Sequence, residues 1–185
     1  MSIAGAWRIT PQVFGDERGS FSEWFRADHI ESVTGFRLNP IQGNISRSSR
    51  GVVRGIHYAD VPPGQAKYLM PVTGSVIDFV VDIREGSPTF GHWDAVTLES
   101  DKHHAVLVEP GLGHAFMALQ DHTTVTYLVS DIFRPDREHG INPLDPDIAL
   151  GFPAGIEPVL SQKDIDAPTL AEALAAGMLP KWEGR

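Results

Sequence analysis

The chain has 185 residues, of which 42% are hydrophobic, and this length suits one globular domain with a substantial core. It contains no cysteine, which excludes disulfides, thiolate-bound zinc, cysteine-ligated iron–sulfur clusters and cysteine nucleophiles. Its formal net charge of −9 argues against binding to nucleic-acid polymers or to anionic membranes.

Short apolar or alternating runs between glycine and proline turns dominate residues 5–151, and they predict antiparallel β-structure. The predicted strands are 7–10, 20–25, 40–46, 52–58, 65–72, 75–83, 93–98, 105–108, 114–119 and 124–130, and residues 15–19 are predicted as a turn. Strands of this number and spacing indicate a sandwich or a closed barrel that hides its edges.

Two helices are predicted outside this β-pattern. One is a short inserted helix at 26–33, and the other is a terminal helix at 168–177, which has proline near its start and glycine at its end. We therefore expect a single domain over residues 1–185, with a β-core at about 5–151 and a helical tail at about 165–180 that packs outside the core.

The strand predicted at 75–83 is apolar on both alternating faces, as in a strand buried between layers, and Asp78 interrupts it. A carboxylate in such a place is costly unless it is paired or hydrogen-bonded. Asp78 is thus expected either in a structural ion pair or in a functional role, and the sequence leaves both open.

A second strand carries a candidate base. Residues 51–58 place Arg54 and His57 in an apolar run, which indicates a lined cavity. Strict alternation would send the two side chains to opposite faces, and Gly55 between them is a natural site for a bulge that turns both inward. Arg47, Arg50 and Arg54 also form a local basic cluster suited to an anionic small molecule.

Three further side chains are candidates for the same cavity. Reflection about the turn at 62–64 predicts a hairpin with Lys67 opposite His57, and cross-strand side chains lie about 5 Å apart. His114 follows a tight glycine-rich turn, and Tyr127 lies on a predicted core strand. Taken singly, His114 is a weak signal, and Tyr127 is usually explained by packing with a satisfied hydroxyl. A solvated edge position explains Lys67 less well, because Ala66 and Tyr68 beside it make the run half apolar.

The histidine spacing disfavours a metal site. Metal sites on small β-barrels commonly use a His-x-His pair with a carboxylate and a later histidine, whereas His57 is followed by Tyr58 and Ala59. The adjacent His103 and His104 are predicted to point to opposite faces of a strand. The sequence also lacks a glycine-rich nucleotide fingerprint and a Gly-x-Ser-x-Gly elbow, so we expect acid–base chemistry without a metal or cofactor.

Nothing in the sequence predicts a membrane segment. No window approaches the roughly 18 consecutive apolar residues of a span, and the first residues lack a charged start followed by an apolar signal core. We therefore expect a cytoplasmic protein.

Six segments carry a resemblance that covers residues 4–182 in consistent order. They are Phe14-Gly-Asp-Glu-Arg-Gly-Ser-Phe21, Gly51-Val-Val-Arg-Gly-Ile-His57, Gln65-Ala-Lys67, Asp78-Phe-Val-Val-Asp-Ile-Arg-Glu-Gly-Ser-Pro-Thr-Phe-Gly91, Pro110-Gly-Leu-Gly-His-Ala-Phe116 and Leu160-Ser-Gln-Lys-Asp164. Together they resemble dTDP-4-dehydrorhamnose 3,5-epimerases. The resemblance implies an all-β cupin-type jelly roll without metal, a homodimer that shares its N-terminal strands, a dTDP-4-keto-6-deoxyhexose substrate and no cofactor.

The resemblance also implies roles for individual residues. His57 would be the base, oriented by Asp164, and Tyr127 the acid. Lys67 would hold the 4-keto oxygen, with Asp78 nearby. Substrate contacts are implied for Arg18, Glu23, Gln42, Asn44, Arg54, His114, Glu138 and Lys163, with Arg18 and Glu23 serving the neighbouring subunit.

One position departs from the family pattern. Where family members usually carry a second tyrosine six residues after the first, this chain has Phe133. A phenyl ring can stack on a nucleotide base but donates no proton, so inversion at C3, at C5 or at both stays open. The alternatives are a single-carbon epimerase or ketoisomerase of an antibiotic-type deoxysugar pathway, a non-catalytic sugar-binding jelly roll and a metal-binding cupin.

Overall fold

The computed structural model describes residues 1–184, which form twelve strands, three α-helices and one 3-10 helix at Ser100–Lys102. Strands β1 to β12 are Ala6–Ile9, Val13–Asp16, Gly19–Ser22, Gln42–Ser48, Val53–Ala59, Lys67–Thr73, Ser75–Val81, Trp93–Glu99, Ala105–Val108, Gly113–Ala118, Thr123–Val129 and Glu138–Gly140. Helices α1 to α3 are Ala27–Thr34, Gln162–Ile165 and Leu170–Ala175.

Ten of these strands form two five-stranded sheets. The first sheet has the order β1-β9-β6-β11-β4, and the second has the order β12-β5-β10-β7-β8. All pairings between the named strands are antiparallel, and the chain moves repeatedly from one sheet to the other. The predicted all-β jelly roll, with an inserted helix and a C-terminal helix, is confirmed.

The position of strand β7 explains why its sequence is apolar on both faces. Val76 and Val80 point between the two sheets, where they pack with residues such as Leu98 and Phe116. Phe79, on the other face, belongs to a separate cluster on the outside of the second sheet. The strand is therefore buried from both sides, as its sequence predicts.

The C-terminal tail supplies the outer layer over the second sheet. Leu170 and Ala173 of α3 and Leu179 beyond it pack in the cluster that contains Phe79. Helix α3 begins after Thr169, whose side chain and that of Glu172 form a capping box. The expected terminal helix is present, outside the β-core and shorter than predicted.

Helix α1 covers the outer face of the first sheet, as the C-terminal tail covers that of the second. Its buried residue Ile30 packs in a cluster with Tyr68 and Leu107 on the outer face of that sheet. The Tyr68 hydroxyl donates to the carbonyl of Trp24 at 2.5 Å, which ties the segment before α1 to the sheet. No helix within residues 1–184 is long and apolar enough to cross a membrane, and α1 is the longest with eight residues.

Two local predictions are wrong, and strand β2 is missing from the predicted strands. The turn predicted at 15–19 is present at residues 17–18, where it connects β2 and β3, which pair from Val13 opposite Ser22 to Asp16 opposite Gly19. Strands β5 and β6 form no hairpin, since β5 belongs to the second sheet and β6 to the first. The histidines at 103 and 104 follow the 3-10 helix and precede β9, so they are not on a strand.

Candidate active site

A cleft of about 600 Å³ opens between the inner faces of the two sheets, a size typical of small-molecule sites. Strands β4, β6 and β11 form one wall, β5, β10 and β12 form the other, and the segment that leads into α2 borders it. The predicted site residues that line it are Gln42, Asn44, Arg54, His57, Lys67, His114, Tyr127, Phe133, Glu138, Lys163 and Asp164.

A backbone irregularity turns two residues of β5 into the cleft. Arg54 and His57 both line it, although an ideal strand would place them on opposite faces. The pairing of β5 with β10 shifts register at this point, and Gly55 has a φ of +121°. A Cβ atom on Gly55 would lie 2.3 Å from the carbonyl oxygen of His114. The predicted bulge is present, and it requires glycine.

His57 is held by a carboxylate from the tail of the chain. Its Nε2 lies 2.7 Å from Oδ1 of Asp164, and Ser161 Oγ donates to the other carboxylate oxygen at 2.8 Å. Burial opposes ionisation of Asp164, but the hydrogen bonds from His57 and Ser161 outweigh it and lower the pKa of this carboxyl. An ionised carboxylate only accepts, so the proton of a neutral imidazole lies on Nε2 and Nδ1 is the basic nitrogen.

Helix α2 brings Asp164 to this position. Ser161 is its N-cap residue and accepts a hydrogen bond from the backbone N–H of Asp164 at 3.2 Å. Asp164 is thus the third residue of the helix and faces inward, with its side chain only 7% exposed. The serine that caps the helix also orients the carboxylate that contacts His57.

Lys67 stands on the opposite wall, at the start of β6. Burial lowers the pKa of Lys67 to about 8, and the charge of Glu138 partly counters this effect. Its Nζ donates to Oε1 of Gln65 at 2.5 Å. The cleft thus contains an ammonium group that is poorly solvated and has no carboxylate in direct contact among residues 1–184, so it is a suitable partner for developing negative charge.

Tyr127 lies on the same wall as Lys67. It is on β11, opposite Asn44 on one side and Leu69 on the other, and it faces the cleft. Burial raises the pKa of the Tyr127 phenol, so this group holds its proton at neutral pH. Because His57 belongs to the second sheet and Tyr127 to the first, the imidazole and the phenol approach the cleft from opposite walls.

Asp78 lies behind the cleft rather than in its lining. Its Oδ2 is 2.8 Å from Nε2 of His114, which does line the cleft, and both side chains are buried. Burial raises the pKa of Asp78, and its Oδ1 atom has no hydrogen-bond partner among the described residues. The cationic or hydrogen-bonding partner that the sequence required is therefore His114.

Comparison with known proteins identifies the family. The family model for dTDP-4-dehydrorhamnose 3,5-epimerase matches residues 1–172. This chain belongs to that family. A dTDP-4-dehydrorhamnose 3,5-epimerase from Streptomyces griseus is 49% identical over 99% of this chain and 91% of the relative.

Solved structures agree with this family assignment. An epimerase of Mycobacterium tuberculosis superposes with a TM-score of 0.96 and 48% identity, over 99% of this chain and 92% of the other. A 3'-monoepimerase from Streptomyces bikiniensis, solved in complex with dTDP-quinovose, gives a TM-score of 0.94 and 47% identity over 98% and 91% of the two chains. Both double and single epimerases are thus similar to this member of the family.

Besides Asp78, two further predicted site residues of this epimerase do not line the cleft. Arg18 is in the β2–β3 connection, where its side chain is 89% exposed and pairs with Asp16. Glu23 follows β3 and pairs with Arg26. Of the basic cluster, only Arg54 lines the cleft, where it donates to Ser48 Oγ and to the carbonyl of Arg47.

Sequence reasoning assigned no role to several residues that line the epimerase cleft. They are Val52, Val53, Gln65, Leu69, Phe116, Val159, Leu160 and Ser161. Two had a usable signal: Gln65 is two residues before Lys67, and Ser161 is three residues before Asp164, the spacing of a helix cap. The apolar residues carry no signal that distinguishes them from the core. Among residues 1–184, no three histidine or acidic side chains are grouped as metal ligands.

Proposed function

We propose that the protein inverts C3 and C5 of a dTDP-4-keto-6-deoxyhexose, as a dTDP-4-dehydrorhamnose 3,5-epimerase. The observation that carries this proposal is the placement of His57 and Tyr127 on opposite walls of one cleft, with Lys67 on the same wall as the phenol. Inversion needs a base on one face of the sugar ring and an acid on the other. Family membership supports the same reaction.

The mechanism begins with proton removal next to the ketone. Nδ1 of His57 takes the hydrogen alpha to the C4 carbonyl, and the electron pair of the broken C–H bond moves into the carbonyl to give an enolate. Asp164 supports the imidazolium that forms. Lys67 donates to the enolate oxygen, and a preorganised cation at such a position contributes several kcal/mol, on the order of 3.

The second half of the mechanism delivers a proton from the other face. Tyr127 gives its phenolic proton to the same carbon, which inverts the centre and restores the ketone. Proton exchange with solvent then returns His57 and Tyr127 to their starting forms. The reaction has no net oxidation, and the existing ketone makes the hydrogens acidic, so the scheme uses no cofactor and no metal.

Charged and aromatic groups at the edge of the cleft suit the nucleotide part. Arg54 and Lys163 are cations that line the cleft and match a dianionic diphosphate. Phe133 lines the same cleft and is 54% exposed, so its ring is available to stack on the thymine base.

The test is incubation with dTDP-4-keto-6-deoxyglucose in heavy water, followed by location of deuterium in the sugar. We expect label at C3 and at C5. His57→Ala should lose at least 100-fold in turnover, by the usual size of acid–base effects, while thymidine-nucleotide binding largely survives. Absence of label at both carbons would reject the epimerase proposal, and loss of activity with a chelator would support a metal-binding cupin instead.

A second candidate is a single-carbon epimerase, or a ketoisomerase, of a deoxysugar pathway. Phe133 favours it, because the family usually has a tyrosine there and a phenyl ring supplies no proton. The relative from Streptomyces bikiniensis bears the name of a 3'-monoepimerase. Label at one carbon alone would support this candidate over the first.

We also propose that the protein is a cytoplasmic homodimer. Apolar side chains are exposed on the β2–β3 hairpin and on edge strand β4, among them Phe21 at 65% and Ile45 at 73%. Arg18 of that hairpin is exposed and is not among the residues that line its own cleft, as expected of a residue that serves a neighbouring subunit. Light scattering should give about twice the chain mass of 20.2 kDa, and Ile45→Lys should give monomers. A monomeric wild-type protein would overturn the dimer.

A further inference from the structure

Gln65 connects two charged residues of the cleft that do not contact each other directly. Its Oε1 accepts a hydrogen bond from Lys67 Nζ at 2.5 Å, and its Nε2 donates to Glu138 Oε1 at 3.2 Å. The same Nε2 donates to the carbonyl oxygen of Asp131, also at 3.2 Å. Gln65, Lys67 and Glu138 line the cleft where β6, β12 and the loop after β11 meet, and Asp131 belongs to that loop.

These contacts allow only one orientation of the amide. The ammonium of Lys67 has no acceptor, so the atom that faces it must be the amide oxygen. The carboxylate of Glu138 and the carbonyl of Asp131 have no proton to give, so the atom that faces them must be the amide nitrogen. Both sides of Gln65 are therefore matched, and a flipped amide would create mismatches on both.

The arrangement keeps Lys67 charged without neutralising it. A carboxylate bonded directly to this ammonium would favour the charged form but would also offset its charge and compete with a substrate oxygen. A neutral amide oxygen supplies a hydrogen bond that favours the ammonium and adds no negative charge. Glu138 acts on Lys67 only from behind the amide, as a more distant charge.

We propose that Gln65 is the positioning residue of Lys67: its amide oxygen orients the ammonium toward the reacting carbonyl and keeps it protonated, while its amide nitrogen holds Glu138 apart from it. This inference depends on the proposed role of Lys67 at the carbonyl oxygen. Gln65 itself acts through Lys67 and not on the reacting atoms.

The interaction with Asp131 extends this role to the loop that carries Phe133. Gln65 Nε2 donates to the backbone at 131, and the N–H of Phe133 donates to Gln42 Oε1 at 3.1 Å. Two glutamines from the first wall thus hold one loop over the cleft. Gln65 is the one that also contacts the ammonium.

The experiment compares two substitutions of Gln65. Gln65→Met keeps the length of the side chain and removes both hydrogen-bonding functions. Because an enolate oxygen needs the ammonium most in the transition state, we expect kcat to fall about tenfold or more while KM changes less than about threefold. The alkaline limb of kcat/KM should move down by about one pH unit, since a hydrogen bond that favours the charged form is lost.

Gln65→Glu keeps the acceptor and adds negative charge. We expect its alkaline limb to move to higher pH than that of wild type, the opposite of Gln65→Met, because a carboxylate stabilises the ammonium. NMR titration of the Lys67 side chain should show the same order of pKa values. This variant also covers the case in which Gln65→Met does not fold. Gln120→Met, in an exposed turn, is the matched control and should leave all these quantities unchanged.

Two results would overturn the inference. One is an alkaline limb and a Lys67 titration that are the same in wild type and in both variants, and the other is equal movement of both variants in one direction. Lys67→Ala separates this failure from failure of the proposed function. If Lys67→Ala retains wild-type turnover, the role of Lys67 is wrong; if it is inactive while the Gln65 variants behave as wild type, only the role of Gln65 is wrong.

Discussion

His57 Nε2 lies 2.7 Å from Asp164 Oδ1, although 107 positions separate the two residues in the chain. Because the carboxylate fixes the proton on Nε2, it leaves Nδ1 free to act as the base. We expect Asp164→Asn to lower kcat by about 100-fold, since an amide neither stabilises the imidazolium nor enforces that tautomer. Steady-state kinetics and deuterium exchange would measure the loss.

The matched control for Asp164→Asn is Asp166→Asn at the C-cap of the same helix. Asp166 is exposed, and its carboxylate accepts a hydrogen bond from Gln162 Nε2. Its replacement should leave kcat within about twofold of wild type. Equal losses in the two variants would mean that α2 is merely destabilised and that the carboxylate has no role of its own.

The His57–Asp164 contact marks a limit of local sequence reasoning. The pattern of β5 predicts a strand that presents His57 to a cavity, because apolar alternation and Gly55 are local features. No spacing connects His57 to a residue in the tail, since their proximity depends on the tail folding back over the second sheet. Only the resemblance to the epimerase family pointed to Asp164.

The lowered pKa of Lys67 predicts that activity is lost in mild alkali. The buried ammonium has a pKa of about 8, and the mechanism needs its charged form, so kcat/KM should fall tenfold per pH unit above about 8. The phenol of Tyr127, whose pKa is raised by burial, still holds its proton in that range. A pH–rate profile measures this, and a flat profile up to pH 9.5 would contradict it.

A conservative change of Lys67 provides the control for this assignment. Arginine stays charged over the whole range, so Lys67→Arg should lose the alkaline limb even if its turnover is reduced. Lys67→Met should be inactive at all pH values. An alkaline limb that persists unchanged in Lys67→Arg would assign the titration to another group.

The close contacts around Gly55 predict that one added methyl group at this position lowers both stability and turnover. In Gly55→Ala the new Cβ would lie 2.3 Å from the backbone oxygen of His114 and 2.7 Å from the Cα atom of Ala115, so the β5–β10 pairing must shift. We expect a loss of about 3 kcal/mol in the free energy of unfolding, together with loss of turnover, because Arg54 and His57 move with the strand. Urea unfolding and kinetics would measure both.

Gly86→Ala is the matched control for Gly55→Ala. Gly86 also has a positive φ, +84°, but nothing lies within 4 Å of a Cβ placed there. Gly86→Ala should therefore lose only the cost of backbone strain, about 1 kcal/mol in the free energy of unfolding, and its turnover should be unchanged. If the two variants lose equal stability, the close approach to β10 is not what selects glycine at position 55.

Lys67 lies in the same cleft as His57, although the strand pairing that predicted this proximity is wrong. A hairpin between β5 and β6 would have placed it beside His57, but the chain between them crosses from one sheet to the other. The cleft still brings the two side chains together, across the space between the sheets rather than along one of them. Apolar alternation alone does not distinguish a strand partner from a facing sheet, because both bury the same side chains.

The substitution Phe133→Tyr adds a hydroxyl group to the cleft, and we expect it to change the product. In Phe133→Tyr the added group would enter the cleft from the loop that Gln42 holds, on a side chain that is already half exposed. Under the second candidate function, in which wild type labels one carbon in heavy water, we expect this variant to increase exchange at the second carbon at least threefold, by adding a proton donor. Mass spectrometry and NMR of the sugar would measure the ratio.

The control for Phe133→Tyr is Phe133→Leu, which keeps an apolar side chain and removes the ring. It should weaken nucleotide binding through lost stacking and leave the ratio of label at C3 and C5 unchanged. A ratio that stays at its wild-type value in Phe133→Tyr would show that position 133 does not select the carbon.

Asp82 predicts how the fold responds to acid. Its carboxylate is buried and accepts from Arg84 at 2.7 and 2.8 Å, and from Ser87 and Thr89 at 2.6 Å each. Burial alone would raise its pKa, but the hydrogen bonds from Arg84, Ser87 and Thr89 outweigh it and lower the pKa to about 2. This value is below that of an unfolded aspartate, which is about 3.9.

The sign of the pH dependence follows from that difference. Asp82 stabilises the native state fully above pH 4, and this contribution of about 2 kcal/mol is lost as the pH falls from about 4 to about 2. Asp82→Asn should therefore remove that part of the acid slope, and it should lower stability at pH 7 by about 3 kcal/mol, because Arg84 is left buried without its carboxylate. Urea unfolding between pH 2.5 and 7 would measure both effects.

The control for Asp82→Asn is replacement of the exposed Asp101 by asparagine, which should leave the acid slope unchanged. If the acid slope is also unchanged in Asp82→Asn, other carboxylates set the acid limit of the fold.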